Sequence, residues 1–309
     1  MNPLLPESIP GVAEVELLCG SAAGGDLPPA LLVEVPHGAD ERAHYETLAA
    51  RLRGPLPDDL VCFFHANTDE GAWAYGRATA QRFLAARPEA RALLVRSLIP
   101  RTFIDCNRPA TYAGSDAPGG LTPGLAPYVQ HREDRALLRE LHARYVEVAD
   151  AAYRAVCGAG GIALSPHTFA PRTVGIDRVD ERIVERLRWA YAPERVAQWP
   201  LRPEIDLLTR DTKGRLLAPP GCEEALLRAF RAQGLRAEAN ATYVLHAGAL
   251  GHAWASRHPG QVLSLEVRRD VLDPLWEPFR EGRPAAERVA RVADALAGCL
   301  LSLQEEQRA

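Results

Sequence analysis

Short apolar runs alternate with longer helical patterns along this chain of 309 residues, and this alternation limits the folds open to it. The apolar runs are largely continuous and rich in leucine, β-branched and aromatic residues, which is typical of strands buried on both faces. They predict strands at residues 30–35, 60–64, 92–97, 102–105, 161–164, 241–245 and 262–267. The helical patterns predict helices at residues 41–53, 73–86, 132–157, 223–233 and 285–304, with Gly234 just past the end of the fourth.

Strands that alternate with helices indicate an α/β fold, here a three-layer αβα architecture with a mostly parallel, mixed sheet. We expect a single domain over residues 1–309, because no repeat and no clear linker divides the chain. Residues 109–127 are rich in Gly, Pro, Ala and Ser and are predicted to form a loop-rich rim of the site. Residues 171–220 are charged, contain several prolines and are predicted to form an insertion.

The composition argues against several classes of protein. The chain has 36 Lys and Arg against 40 Asp and Glu, so it lacks the basic field expected of a nucleic-acid-binding protein. It has neither a signal-peptide pattern at its start nor an apolar run long enough to cross a membrane. The six cysteines are scattered without a CxxC pair. We therefore expect reduced thiols and a cytoplasmic protein.

Two histidines stand in similar turns, each directly after a predicted strand. His37 lies in VEVPHGAD and His167 lies in ALSPHTF, both preceded by proline. Ligands of open α/β sheets bind beyond the carboxyl ends of strands, and zinc commonly takes histidine nitrogen together with a carboxylate oxygen. Each histidine taken alone is equally consistent with a surface turn, but the repetition favours a metal site.

Two aspartates are candidates for the carboxylate of such a site. Asp40 follows His37 by three residues. Asp69, in ANTDEGAW, lies between an apolar run and a predicted helix, where an aspartate can also simply cap the helix.

Further polar residues flank the remaining apolar runs. Arg101 precedes the run 102–105, and Asn107 and Arg108 follow it. Arginine can hold a carboxylate in a bidentate pair or stabilise an oxyanion, although a surface salt bridge is an equal alternative. Asp105 is predicted to orient these groups.

Glu266 is a lone carboxylate inside the apolar run of VLSLEVRRD. A buried acid needs a partner or a function, and burial raises the pKa of a carboxyl group into a range that suits a general base. The alternative is a strand position that faces solvent.

With these residues in place, the chain resembles the N-formylglutamate amidohydrolase family, a relative of the zinc carboxypeptidases and aspartoacylase. The likeness covers most of the chain in the same order and is carried by VEVPHG, NTDEGAW, RTFIDCNRP, LSPHTF and the stretch that leads to VLSLEV. The match to the family's Ile-Asp-x-Asn-Arg-Pro motif is the most specific. The resemblance implies a zinc carboxypeptidase-like (phosphorylase/hydrolase-like) fold.

The resemblance also implies roles. His37 and His167 would bind one zinc ion, with Asp69 as the preferred third ligand and Asp40 as the alternative. Arg101 would act in catalysis and Glu266 would be the general base and then the acid. The groups implied in substrate binding are Asn107, Arg108 and Arg257.

The implied reaction is cleavage of the amide bond of an N-acyl amino acid, N-formylglutamate-like, by metal-activated water. A carboxypeptidase-like or aspartoacylase-like hydrolase of another small acidic amide or peptide is one alternative. A non-catalytic metal-binding or metabolite-binding protein is another. The chain departs from the family at Ser165, where the family has an aspartate two residues before its histidine, and in the segment 246–252.

Overall fold

The computed structural model describes residues 5–25, 27–114, 121–176 and 178–308, with side chains as far as Gln304. Its seven strands form one sheet in the order β1-β3-β2-β4-β7-β5-β6. They are β1 (Ala13–Cys19), β2 (Leu31–Val35), β3 (Arg91–Ser97), β4 (Ile162–Phe169), β5 (Ile205–Leu208), β6 (Ala237–Ala239) and β7 (Val262–Arg268).

The sheet is mixed, as predicted. The central strands β3, β2, β4 and β7 run parallel to one another, and β5 and β6 also pair in parallel. Two pairings are antiparallel, β1 with β3 and β5 with β7. Every residue of β2 and of β4 is buried, which is the burial expected from their nearly continuous apolar sequences.

Helices cover both faces of the sheet. They are α1 (Arg42–Ala49), α2 (Val61–Asn67), α3 (Ala72–Ala86), α4 (Arg132–Val156), α5 (Ile183–Ala190), α6 (Pro193–Val196), α7 (Cys222–Ala232), α8 (Leu250–Arg257), α9 (Arg269–Leu272) and α10 (Ala286–Arg308). A short 3₁₀ turn, Cys157–Ala159, follows α4.

Two apolar cores lie on opposite faces of the sheet. Residues of α3, α7 and α10 pack against one face, and residues of α4 and α8 pack against the other. Gly76 lets α3 approach the sheet closely, because a Cβ atom there would lie 2.8 Å from Val33 and 3.1 Å from Pro166. The predicted three-layer αβα architecture is therefore confirmed.

The predicted strand at 60–64 is wrong, because this segment begins α2. The apolar run is so short that its hydrophobic periodicity cannot distinguish a strand from a buried helix. Leu60, Phe63 and Phe64 are buried at the i, i+3, i+4 spacing of one helix face.

Two more predicted strands are replaced by irregular backbone. Residues 102–105 form a turn with one isolated bridge, Ile104 to Leu125. In the segment 241–245, three successive backbone N–H groups donate to the carboxylate of Asp206 instead of to a neighbouring strand. Asn240 turns the chain there with a φ of 55°.

The sequence patterns did not predict strands β1, β5 and β6. In β1 charged and apolar residues are mixed, since it is a partly exposed edge strand, and β5 and β6 have only four and three residues. The other predicted strands are confirmed as β2, β3, β4 and β7.

The five predicted helices correspond to α1, α3, α4, α7 and α10. Gly234 follows α7 with a φ of +70°, the left-handed conformation predicted for it.

The predicted insertion 171–220 contains α5, α6 and β5. Of the predicted rim 109–127, residues 115–120 lie outside the described residues.

No helix in the described part of the chain is long and apolar enough to cross a membrane. All six cysteines are described, and none forms a disulfide.

Candidate metal centre and active-site cavity

Polar side chains occupy alternate positions on three neighbouring parallel strands, near their carboxyl ends. Side chains two residues apart on a strand share a face. On each of these strands, the apolar residue two positions before the first polar one belongs to the core on the α4 side, so the polar side chains face that side too. The polar residues of this face are Glu34 on β2, Ser165 and His167 on β4, and Ser264 and Glu266 on β7. The sheet therefore turns five polar groups toward one side at one end.

Three candidate metal ligands meet beside this face. His37 lies in the turn after β2, Asp69 between α2 and α3, and His167 within β4. Asp69 Oδ2 is 3.0 Å from His37 Nδ1 and 2.7 Å from His167 Nδ1. All three side chains are buried, and one ligand atom from each lies within 4.8 Å of the others.

Asp105 fixes the proton of His37. Its Oδ1 lies 2.7 Å from His37 Nε2, and its Oδ2 accepts a hydrogen bond from Arg101 Nε at 3.0 Å. Burial acts to raise the pKa of Asp105, but Arg101, Arg108 and His37 outweigh it and hold this pKa well below its usual range. An ionised carboxylate only accepts hydrogen bonds, so His37 Nε2 carries a proton toward Asp105. Nδ1, on the side of Asp69, either carries a second proton or would give its lone pair to a bound cation.

This arrangement fits a bound cation. A nitrogen lone pair and a carboxylate oxygen at 3.0 Å repel each other unless a proton or a metal ion lies between them. Burial and Arg101 act to lower the pKa of His37, yet Asp105 and Asp69 outweigh them and raise it, so the position favours positive charge. Two imidazole nitrogens and one carboxylate oxygen are a ligand set that zinc takes in catalytic sites, where a fourth position stays open.

Asp40 lies in a different group, with Glu41 and His44. Its Oδ1 is 3.7 Å from Arg96 Nη1, and burial raises its pKa to about 6. Of the two candidate aspartates, Asp69 is therefore the one placed against both imidazoles.

Glu266 lies opposite His167 in the pairing of β4 with β7. Its Oε2 atom is buried and has no hydrogen-bond partner among the described residues. Burial, followed by the negative charge of Asp69, raises the pKa of Glu266, and the neighbouring cations only partly oppose this. A carboxyl group with a raised pKa and a free oxygen can accept a proton and release it again.

The motif 101–108 surrounds the same site. Besides its bond to Asp105, Arg101 places Nη1 3.6 Å from Asp69 Oδ1. Arg108 donates from Nη1 to the carbonyl oxygen of Asn107. Its buried Nε lies 4.0 Å from Asp105 Oδ2 and makes no hydrogen bond in the described part of the chain. The side chain of Asn107 accepts a hydrogen bond from the backbone N–H of Gly251.

A cavity of about 290 Å³ opens over these groups. His37, His167 and Glu266 line it together with Arg101, Asn107 and Arg108. Leu121 and Thr122 of the predicted rim also line it. This volume is at the lower end of the range of small-molecule binding sites.

Three further arginines face this cavity: Arg172, Arg202 and Arg269. Arg202 lies between the rings of Phe169 and Tyr243, with its guanidinium carbon 5.1 Å and 5.3 Å from their centroids. With Arg101 and Arg108 they make the cavity strongly basic, which favours anionic ligands. No sequence motif indicated a role for these three residues.

Arg257, an expected substrate anchor, does not line this cavity. It ends α8, its side chain is 54% exposed, and it donates to Asp150 on α4. Arg257 lies six positions beyond Gly251, which does line the cavity, and this offset carries it roughly 9 Å along the helix axis. Arg257 is therefore the one expected substrate-binding residue that the structure places outside this cavity.

No protein-family profile matches the sequence, and no curated protein matches it. The structure is similar to that of N-formylglutamate amidohydrolase from Ralstonia eutropha JMP134, with a TM-score of 0.52 and 19% sequence identity over 95% of this chain and 98% of that chain. It is also similar to the gene product Atu2144 from Agrobacterium tumefaciens, with a TM-score of 0.51 and 18% identity over 96% of each chain. The fold implied by the motif resemblance is thus confirmed.

Proposed function

We propose that this protein is a zinc-dependent hydrolase that cleaves the amide bond of an N-acyl amino acid. The observation that carries the proposal is the convergence of His37, Asp69 and His167 beside a buried carboxyl group, Glu266, whose Oε2 has no described partner. The likeness in fold to a protein named N-formylglutamate amidohydrolase supports the same class of reaction.

His37, Asp69 and His167 would hold the ion through Nδ1, Oδ2 and Nδ1. A bound zinc ion supplies Lewis acidity, which lowers the pKa of a water molecule and polarises a carbonyl group. Asp105 keeps the proton of His37 on Nε2, so that Nδ1 stays available as a ligand.

Glu266 would move the proton. As a carboxylate it accepts a proton from the attacking water, and as a carboxylic acid it returns that proton to the nitrogen of the leaving amine. Its position opposite His167 places it next to the ligand set, and its free Oε2 leaves an atom available for both transfers.

Arg101 and Arg108 would bind the charges of the substrate. Arg101 is anchored by Asp105 and lies closest to Asp69, so it is placed to donate to the oxyanion that forms on the amide oxygen. Arg108, whose Nε makes no hydrogen bond in the described part of the chain, and Asn107 would hold the carboxylate of the amino acid. The small, basic cavity fits such a substrate.

A hydrolysis assay tests the proposal. The purified protein, depleted of metal and then reloaded with zinc, is given a panel of N-formyl, N-acetyl and longer N-acyl amino acids and short peptides. We expect release of free amino acid that depends on zinc and is lost in Glu266→Gln, with anionic amino acids preferred. Turnover of no amide in the panel by the zinc-loaded protein would contradict the proposal.

A further inference from the structure

We infer that Glu34 is a positioning residue that acts through the hydroxyl group of Ser165 to hold His167 as a metal ligand. The inference rests on the proposed metal site but concerns residues that bind neither metal nor substrate. Glu34 lies on β2 and is 2% exposed, and Ser165 lies on the neighbouring strand β4 and is 1% exposed. The sequence motifs did not predict a site role for either residue.

Three hydroxyl groups surround the Glu34 carboxylate. Tyr145, from α4, donates to Oε1. Tyr153, about two turns further along the same face of α4, and Ser165 donate to Oε2 at 3.4 and 3.5 Å. Tyr153 is itself fixed by stacking on Trp254. The tyrosines of α4 thus hold the Glu34 carboxylate on one side, and on the other side it contacts β4, the strand that carries His167.

The direction of the bonds follows from the chemistry of the groups. A serine hydroxyl has one proton, and here it is donated to Glu34. The Ser165 oxygen can then only accept a bond from His167 Nε2, which lies 3.4 Å away. With zinc bound, the proton of His167 would therefore stay on Nε2, which leaves the lone pair of Nδ1 for the ion beside Asp69.

The two imidazoles are thus oriented by equivalent means. Asp105 contacts His37 Nε2 directly, whereas Glu34 reaches His167 Nε2 through one hydroxyl group. At position 165 this chain has a serine, and the carboxylate is supplied by Glu34 on the adjacent strand.

Zinc affinity tests this relay. The dissociation constant of zinc is measured by competition with a chelator for wild type, Glu34→Gln and Ser165→Ala. We expect both variants to bind zinc about 10- to 100-fold more weakly, as is usual when a group that orients a ligand is removed. Ser264→Ala is the matched control, because Ser264 pairs with Ser165 in the sheet and is equally buried, but its hydroxyl has no described partner. Its zinc affinity should match wild type.

Three further measurements distinguish a positioning role from a general loss of structure. The double variant Glu34→Gln with Ser165→Asp moves the carboxylate onto β4 and should recover affinity to within about threefold of wild type. In the zinc-loaded protein, exchange of the ring N–H proton of His167 should speed up in Ser165→Ala, while that of His37 stays slow. Urea unfolding of the metal-free proteins checks that each variant folds.

Failure of this inference is distinct from failure of the metal site. Wild type that binds zinc, with Glu34→Gln and Ser165→Ala binding it equally well, would overturn the relay and leave the proposed function intact. An equal loss of affinity in Ser264→Ala would also overturn it, because burial rather than the relay would then be responsible.

Discussion

His167 and Glu266 lie opposite each other on adjacent parallel strands, one facing Asp69 through Nδ1 and the other carrying a buried oxygen without a described partner. The sheet register therefore sets a candidate ligand beside a candidate base. Side chains paired across parallel strands point to the same face, so neither residue depends on a loop for its placement.

Replacing Glu266 by glutamine should remove turnover and leave the metal site intact. Glutamine keeps the shape of the side chain but cannot accept and return a proton, and general acid–base catalysis contributes about 10²- to 10⁴-fold. We expect kcat to fall by about 10³-fold while zinc content stays at the wild-type level. A variant that keeps full activity would show that another group moves the proton.

Replacing Asp105 by asparagine should weaken zinc binding by about 10- to 100-fold. The carboxylate of Asp105 accepts from His37 Nε2, Arg101 Nε and the backbone of Asn107, and an amide cannot hold all three donors. Chelator competition measures the effect, and Asp40→Asn serves as a control because Asp40 lies in a separate group. Equal zinc affinities in wild type and Asp105→Asn would rule out this role.

Arg108 and Arg257 should differ in their effect on substrate binding. Arg108→Ala removes a buried guanidinium from the cavity and should raise KM by at least about tenfold, the loss expected for a charge-assisted hydrogen bond. Arg257→Ala removes a mostly exposed side chain that pairs with Asp150 and should leave KM within about twofold. The reverse ranking would restore the expectation drawn from the resemblance.

Asp40 should make stability depend on pH. Burial raises its pKa to about 6 in the folded protein, from 3.8 in an unfolded chain. Its favourable contribution is complete below about pH 4 and is lost as the pH rises through 6, because the folded state must then hold a poorly solvated charge.

Asp40→Asn cannot ionise. Its free energy of unfolding relative to wild type should therefore increase by on the order of 2 kcal/mol as the pH rises from 4 to 8. Urea unfolding of the metal-free proteins at the two pH values measures this. A stability difference between the two proteins that does not change with pH would contradict it.

The sequence predicted the central strands and the main helices because their patterns are unambiguous. β2, β4 and the long helix α4 are buried elements with continuous or clearly periodic sequences. The run 60–64 was misread because five apolar residues satisfy both a strand and a buried helix.

The candidate site was only partly visible in the sequence. His37, Asp69 and His167 were identified as possible ligands, but only folding shows that Asp69 rather than Asp40 lies between the imidazoles. A role for Glu34 and Ser165 could have been predicted from the sequence, because each is a polar residue in an otherwise apolar strand. Each also points to the same face of the sheet as His167 and Glu266. Arg202 carried none, because its place in the cavity depends on Phe169 and Tyr243, which are distant in sequence.

Zinc content is the most direct test of the central claim. Elemental analysis is carried out on purified wild type and on His37→Ala, Asp69→Ala, His167→Ala and Asp40→Ala, each checked for folding. We predict close to one zinc per chain in wild type and in Asp40→Ala, and loss of zinc in the other three variants. A folded wild type that contains no zinc and cannot be reloaded, or a zinc site that survives Asp69→Ala and is lost in Asp40→Ala, would contradict the account.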